Sequence, residues 1–207
     1  MNSAIVVQAP ASGSATHLFL LFHGVGATAE GLAPLGKIIG AQFPQSAVLS
    51  VPSPFESDLG AGRQWFSVRG ITEDNRIARI EEAMPLFGQT VRDLQQRYGV
   101  GAEATTLVGF SQGAIMALES ARQGQALAGR IGSIAGRFAQ LPDVAPGGTT
   151  LHLVHGQEDP VIPSAQTVAA AQKLKALGAD VTADVVPGAG HGITQPMVQA
   201  LLQRLRA

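Results

Sequence analysis

Short apolar runs alternate with amphipathic segments along almost the whole chain, and this alternation constrains the fold more than any other feature. A short apolar run predicts a strand buried on both faces, and the longer segments between runs predict the helices that cover it. Repeated units of this kind are typical of a three-layer α/β protein with a mostly parallel sheet. We predict buried strands at 17–22, 47–51, 105–110, 130–134, 150–154 and 181–186, and an edge strand at 5–8.

The segments between these strands carry helical patterns. The longest begins with Glu73 and Asp74, whose charges favour a helix amino terminus. We expect it to end near Gly99, with Pro85 as a candidate kink. Shorter helices are predicted at 30–39, 112–123, 164–177 and 194–205. A chain of 207 residues is long enough for one substantial core, so we predict a single domain spanning 1–207.

Composition and charge exclude several classes of function. The chain has no cysteine, which rules out disulfides, thiolate metal sites and a cysteine nucleophile. Its formal net charge is −1 without a basic block, so a nucleic-acid partner is not expected. No apolar stretch approaches the roughly 20 residues of a membrane-spanning helix. The first 29 residues lack the basic start of a signal peptide, and Gln8 and Pro10 interrupt them. We therefore expect a cytoplasmic protein without stable membrane insertion.

The strongest chemical motif is Gly109-Phe110-Ser111-Gln112-Gly113, which stands between a predicted strand and a predicted helix. It matches the G-x-S-x-G pattern, in which a serine on a strained strand-to-helix turn projects its hydroxyl free of the sheet. The glycines on either side let neighbouring chain approach closely. The motif and its position predict an α/β-hydrolase fold, with a mostly parallel central sheet flanked by helices, and Ser111 as the nucleophile.

A serine hydroxyl needs a base near neutral pH, and that base needs a group that orients it. In this fold the chain order is Ser, then Asp or Glu, then His. His191 lies in a glycine-rich loop after the last predicted strand, and Asp159 follows strand 150–154 at the sheet edge where active-site groups gather. Glu158 is the competing carboxylate. The remaining histidines are interpreted as packed or hydrogen-bonded structural rings: His17, His23, His152 and His155.

Acyl transfer also requires donors for the oxyanion. In this fold one donor is the N–H of the residue after the serine, here Gln112, at a helix amino terminus. The second is expected from the first strand-to-helix loop, where the glycines of His23-Gly24-Val25-Gly26 can aim the Val25 N–H into the site. Val25 and Gln112 are therefore the predicted oxyanion hole.

The segment 52–70 has no clear periodicity, and loops of this length usually carry function. Its Trp65 and Phe66, together with Phe55, are candidates for an apolar substrate pocket. Met197 is left open between pocket and core. We expect a small-molecule ester as the substrate, and the sequence leaves open whether the chain forms a homodimer.

These motifs together resemble the phospholipase/carboxylesterase family, which includes acyl-protein thioesterases. The segments that carry the resemblance are His23-Gly24-Val25-Gly26, Trp65-Phe66, the serine motif, 155–163 and Gly190-His191. Segments 62–67 and 70–75 are most similar to small bacterial esterases of that family. The resemblance implies hydrolysis of carboxylic esters, extending to thioesters or lysophospholipids, without a cofactor and with the triad and oxyanion donors named above. Ala27 stands where members of the family often carry an aspartate.

Two other classes of function compete with this interpretation. Gly24-Val25-Gly26 and Ala29 fit the G-x-G-x-x-G/A fingerprint of a nucleotide-binding oxidoreductase. Strand 47–51, however, ends without the acidic residue that would hold a ribose hydroxyl. A non-catalytic hydrolase-like binding module would need a broken triad, and all three members are present. No metal site is predicted, because His152 and His155 are three residues apart in a strand and would point to opposite faces.

Overall fold

The computed structural model describes residues 4–206, and a twisted sheet forms the centre of this part of the chain. Its strands, in chain order, are β1 (Ile5–Gln8), β2 (His17–Phe22), β3 (Ser46–Val51), β4 (Phe55–Glu56), β5 (Arg63–Gln64), β6 (Thr105–Phe110), β7 (Arg130–Ile134), β8 (Thr150–Gly156) and β9 (Val181–Val186). Seven of them form one sheet in the order β1-β3-β2-β6-β7-β8-β9, while β4 and β5 pair separately. β1 is antiparallel to β3 at one edge, and all other neighbours in the large sheet are parallel.

Helices cover both faces of this sheet. They are α1 (Ala33–Gln42), α2 (Glu73–Tyr98), α3 (Gln112–Arg122), α4 (Ala165–Ala176) and α5 (Gln195–Arg206). The buried side chains of α2, α3 and α4 pack on one face, and those of α1 and α5 pack on the other. The predicted three-layer fold with a mostly parallel sheet is therefore confirmed. Within residues 4–206, no helix is both long and apolar enough to cross a membrane.

Strand β2 illustrates why the apolar runs become central strands. Leu18, Leu20 and Phe22 join the core under α2 and α3, whereas Phe19 and Leu21 join the core under α1 and α5. Each such side chain gains about 1.5–3 kcal/mol by leaving water. A strand that is apolar on both faces is thus stable only at the centre of the sheet, and β2 fixes where the loop after it must lie.

The predicted strands are all present, with small differences at their ends. β3 begins one residue earlier than predicted, and β8 continues to Gly156.

The first helix differs more from its prediction, because a 3-10 turn at Ala29–Leu32 precedes α1. Pro34 lies in the first turn of α1, where its missing N–H needs no partner. α2 is continuous through Pro85, which is exposed, so water can reach the carbonyl that loses its helical partner.

Candidate active site

Ser111 lies on a tight turn between β6 and α3. Its backbone has φ 51° and ψ −116°, a region that residues other than glycine rarely adopt. Its N–H donates to the Ile134 carbonyl on β7 at 3.0 Å. Strain of this kind persists only where the surroundings hold it, and it presents the serine side chain above the end of the sheet.

The two motif glycines are required by close packing at this turn. A Cβ atom on Gly109 would lie 2.4 Å from the Ala114 backbone, and one on Gly113 would lie 2.2 Å from the Phe22 carbonyl oxygen. Both distances are far below any tolerated contact. Helix α3 can therefore begin against β2 and β6 only if these positions lack side chains.

The three predicted catalytic side chains come together at the carboxyl ends of the strands. Ser111 Oγ lies 3.0 Å from His191 Nε2, and His191 Nδ1 lies 2.7 Å from Asp159 Oδ2. The carboxylate can only accept, so the ring hydrogen is assigned to Nδ1 and Nε2 is the acceptor for the serine hydroxyl. Ser111 and Asp159 are buried, and His191 is half-buried. This arrangement is competent to remove a proton from Ser111.

Asp159 is held by its own turn as well as by His191. Its Oδ1 accepts the N–H groups of Val161 at 2.8 Å and Ile162 at 2.9 Å. Burial alone would raise the pKa of this carboxyl. The Ile162 N–H, the His191 ring and the Val161 N–H outweigh burial and hold the pKa below its ordinary value. The group is therefore an anion at neutral pH. Glu158, the competing carboxylate, is exposed, and none of the hydrogen bonds or ion pairs described for it involves His191.

The loop after β2 lies directly against Ser111. A Cβ atom on Gly24 would lie 3.2 Å from Ser111 Cβ. His23 fixes the peptide that follows: Nε2 accepts the Ser53 N–H at 3.1 Å, so the hydrogen on Nδ1 is donated to the Gly24 carbonyl at 2.8 Å. The Gly24 carbonyl and the Val25 N–H belong to one planar peptide, so this bond sets the direction of the Val25 N–H.

Neither predicted oxyanion donor is already occupied. Within residues 4–206, the N–H groups of Val25 and Gln112 donate to no backbone or side-chain acceptor. Gln112 is the first residue of α3, where the helix leaves its N–H groups unpaired and the dipole favours negative charge.

Burial lowers the pKa of His23. The hydrogen bond to Gly24 opposes this shift, and the charge of Arg63 lowers the pKa further. The His23 ring that orients Val25 therefore stays uncharged at neutral pH.

Backbone pairing holds the loop around Ala27. The Gly26 N–H donates to the Arg63 carbonyl at 3.0 Å, and the Arg63 N–H donates to the Ala27 carbonyl at 2.9 Å. The Arg63 guanidinium also donates to the carbonyls of Ser53 and Pro54. Ala27 thus needs no carboxylate to order the loop. The Gly26 N–H is occupied, which argues against a nucleotide phosphate in this loop.

The three predicted pocket residues lie in two environments. Trp65 and Phe66 are buried in the core, and the Trp65 ring contacts the Phe87 ring edge-on at 5.0 Å. Phe55 is 51% exposed. All three nevertheless line one cavity of about 350 Å³, which also has Arg79 and Glu82 in its wall. Met197, which the sequence left open, is a fully buried residue of α5 and belongs to the core between the sheet, α1 and α5.

The side chain of Gln112 has a second role that the sequence did not predict. Its Oε1 accepts the Trp65 N–H at 2.7 Å, and its Nε2 donates to the Phe66 carbonyl at 2.8 Å. The serine turn and the pocket segment are therefore joined through one amide. The motif leaves this position free, and no signal in the sequence indicated this role of the side chain.

Phe110, the other free position of the motif, packs its ring against that of His191, with centroids 5.3 Å apart. The sequence did not predict this contact.

The four remaining histidines are hydrogen-bonded, as expected. His17 bonds to Thr106 and His152 to Thr182, both away from Ser111. His23 and His155, however, contact the loops that carry the site residues, so the structural interpretation of these two was incomplete.

A nucleophilic serine on a strand-to-helix turn, above the carboxyl ends of a mostly parallel sheet, defines an α/β-hydrolase. The sequence pattern of the phospholipase/carboxylesterase family matches residues 2–207. The chain therefore belongs to the phospholipase/carboxylesterase family.

Individual relatives agree with this assignment. Esterase YpfH of Escherichia coli (strain K12) is 50% identical over 201 residues, covering 97% of this chain and 86% of that protein. Acyl-protein thioesterase 1 of Gibberella zeae is 28% identical, covering 88% of this chain and 86% of that protein. The crystal structure of esterase PE8 superposes with a TM-score of 0.86 at 29% identity, covering 96% of this chain and 95% of that one. The chain is a carboxylic-ester hydrolase, which excludes the oxidoreductase alternative.

Proposed function

We propose that the chain hydrolyses carboxylic esters through an acyl-enzyme on Ser111. Ser111 Oγ forms a bond to the ester carbonyl carbon while its proton passes to His191 Nε2. The bond from that carbon to the alkoxy oxygen then breaks, and His191 returns the proton to the departing oxygen, which leaves as an alcohol. Water attacks the acyl-enzyme by the same route, with His191 as base, and releases the acid and free Ser111.

The hydrogen-bond chain from Ser111 through His191 to Asp159 is the observation that carries this proposal. In the proposed mechanism Asp159 holds the Nδ1–H tautomer of His191 and stabilises the imidazolium that forms during proton transfer. The lowered pKa of Asp159 supports this role, because only the anion can do so. The N–H groups of Val25 and Gln112 stabilise the oxyanion, each contributing about 3–4 kcal/mol to the transition state.

The decisive experiment is labelling with a fluorophosphonate probe. We expect the wild type to be labelled and Ser111→Ala to remain unlabelled, with turnover of an activated ester reduced by roughly 10⁶. Ser120→Ala is the matched control, because Ser120 lies on α3, the helix that Ser111 precedes, is buried and bonds to the Ala117 carbonyl of that helix. Equal labelling of Ser111→Ala and Ser120→Ala would show that Ser111 is not the nucleophile.

Trp65 and Phe66 are the candidate apolar wall for the acyl group, because the Gln112 side chain joins them to the turn of Ser111. The cavity that they line with Phe55 has neither Ser111 nor His191 in its wall, so its volume sets no limit on the acyl chain. Values of kcat/KM on p-nitrophenyl esters from acetyl to palmitoyl measure the preferred chain length, and a maximum at short chains would favour a small ester. A maximum at palmitoyl would instead favour a lipid or an acylated protein, the substrate that the name of the Gibberella zeae relative indicates.

A further inference from the structure

Asp159 lies against a second histidine that the reaction itself does not use. His155 is in β8, and its ring is completely buried. Its Nε2 lies 3.1 Å from Asp159 Oδ2, the same oxygen that accepts the His191 Nδ1–H. The rings of His191 and His155 therefore both lie within hydrogen-bond distance of one carboxylate oxygen of Asp159.

The partners of the His155 ring assign its hydrogen. Nε2 lies 2.8 Å from the Ile162 carbonyl oxygen, which can only accept, so Nε2 carries a hydrogen. Nδ1 lies 2.8 Å from the Thr167 hydroxyl on α4. The ring is thus held at both nitrogens, and its Nε2–H is directed into the turn that contains Asp159.

Ile162 connects this ring to the other oxygen of the carboxylate. The Ile162 carbonyl accepts from His155, and the Ile162 N–H donates to Asp159 Oδ1 at 2.9 Å. His155 therefore contacts Oδ2 directly and holds the residue that binds Oδ1. Contacts on both oxygens restrict rotation of the carboxyl group, which must present Oδ2 to His191.

We infer that His155 is a positioning residue for the reaction, acting through the Nε2 side of its ring to fix the orientation of the Asp159 carboxylate. This inference rests on the proposed function, in which Asp159 orients His191. His155 touches neither the substrate nor the transferred proton. The hydrogen at Nε2 maintains the orientation of the Asp159 carboxylate, whereas the contact of Nδ1 with Thr167 anchors α4.

Three variants separate these two sides of the ring. His155→Gln places an amide N–H near the position of Nε2, and we expect kcat to stay within about threefold of wild type. His155→Asn places its amide near Nδ1 and loses the Nε2 donor, so we expect kcat to fall about tenfold or more with KM unchanged. Thr167→Val removes only the partner of Nδ1. It should lower the melting temperature while keeping kcat within about threefold.

The outcomes are distinct. Equal loss of kcat in all three variants, or wild-type kcat in His155→Asn, would overturn the positioning role and leave His155 as an anchor for α4. If His155→Asn does not fold, His155→Met takes its place, because it also lacks the Nε2 donor. A tenfold loss of kcat in that variant, with kcat retained in His155→Gln, supports the role, and wild-type kcat in His155→Met refutes it. Failure of the proposed function itself has another signature, because Ser111→Ala would then be labelled as the wild type is.

Discussion

Gln112 offers the sharpest test of how the site is built, because its side chain joins two segments that are distant in the sequence. Trp65 is 1% exposed and Phe66 is 5% exposed, so neither the Trp65 N–H nor the Phe66 carbonyl has ready access to water. Gln112→Met keeps the length of the side chain and removes both polar atoms. Both backbone groups would then be buried without a partner.

The expected cost follows from those two groups. A buried donor or acceptor without a partner costs about 1–3 kcal/mol, and a carbonyl is the more tolerant of the two. We therefore expect Gln112→Met to lower the free energy of unfolding by about 2–4 kcal/mol. For a chain of this length each kcal/mol shifts the melting temperature by about 2–4 °C, so the expected decrease is roughly 5–15 °C.

Urea denaturation and thermal melting measure this loss, with Gln199→Met as the matched control. Gln199 lies on α5 with an exposed side chain, where such a change costs at most about 0.5 kcal/mol. Gln112→Met keeps the backbone N–H of residue 112. Its kcat should therefore fall by less than the roughly 10²–10³ that follows loss of an oxyanion donor. A stability loss no larger than that of Gln199→Met would refute the reasoning.

Two further predictions concern a buried histidine and the close approach at Gly24. Burial, with Arg130 next in importance, lowers the pKa of His152 to about 4, so its contribution to stability is complete above pH 6.5 and is lost as pH falls toward 4. Most of this contribution is lost at pH 4.5, so urea denaturation should show a smaller decrease in stability from pH 7 to 4.5 for His152→Asn than for the wild type. Equal decreases would contradict the shift. Gly24→Ala would place a methyl group 3.2 Å from Ser111 Cβ, so the loop after β2 must move by a few tenths of an ångström. We expect kcat of Gly24→Ala to fall about tenfold. Gly31→Ala is the control, because its methyl group would meet no atom within 4 Å, and it should leave kcat unchanged. Equal kcat in the two variants would show that the loop tolerates the contact.

The sequence was sufficient for the fold class because the determining signals are local. A run such as Leu18 to Phe22 can be stable only between two helical layers, and the serine turn can lie only at the end of such a strand. The candidate triad could be identified for a related reason. The chemistry admits few residue types, and the fold places them in a fixed order along the chain.

The first helix shows where local signals fail. Its pattern predicts a start at Glu30, but the chain forms a 3-10 turn before α1 begins at Ala33. The pattern specifies which side chains face the core, and a 3-10 turn and an α-helix present nearly the same face over one turn. Pairing of Ala27 with Arg63 fixes the chain just before this helix, and no property of the segment itself indicates that partner.

The supporting residues of the site escaped the sequence because no periodic pattern shows their partners. Gln112 bonds to the distant backbone of Trp65 and Phe66. His23 and His155 nevertheless follow a common pattern. The dipeptides His23-Gly24 and His155-Gly156 lie at the ends of β2 and β8. The ring of each histidine is buried and contacts the loop that follows its strand. His23 donates to the Gly24 carbonyl, and His155 donates to the Ile162 carbonyl. A buried imidazole at a strand end can satisfy loop carbonyls that the sheet ladder no longer reaches. The positions of these histidines at strand ends, which first suggested a purely structural role, allow His23 to hold the loop after β2 and His155 to hold the turn that contains Asp159.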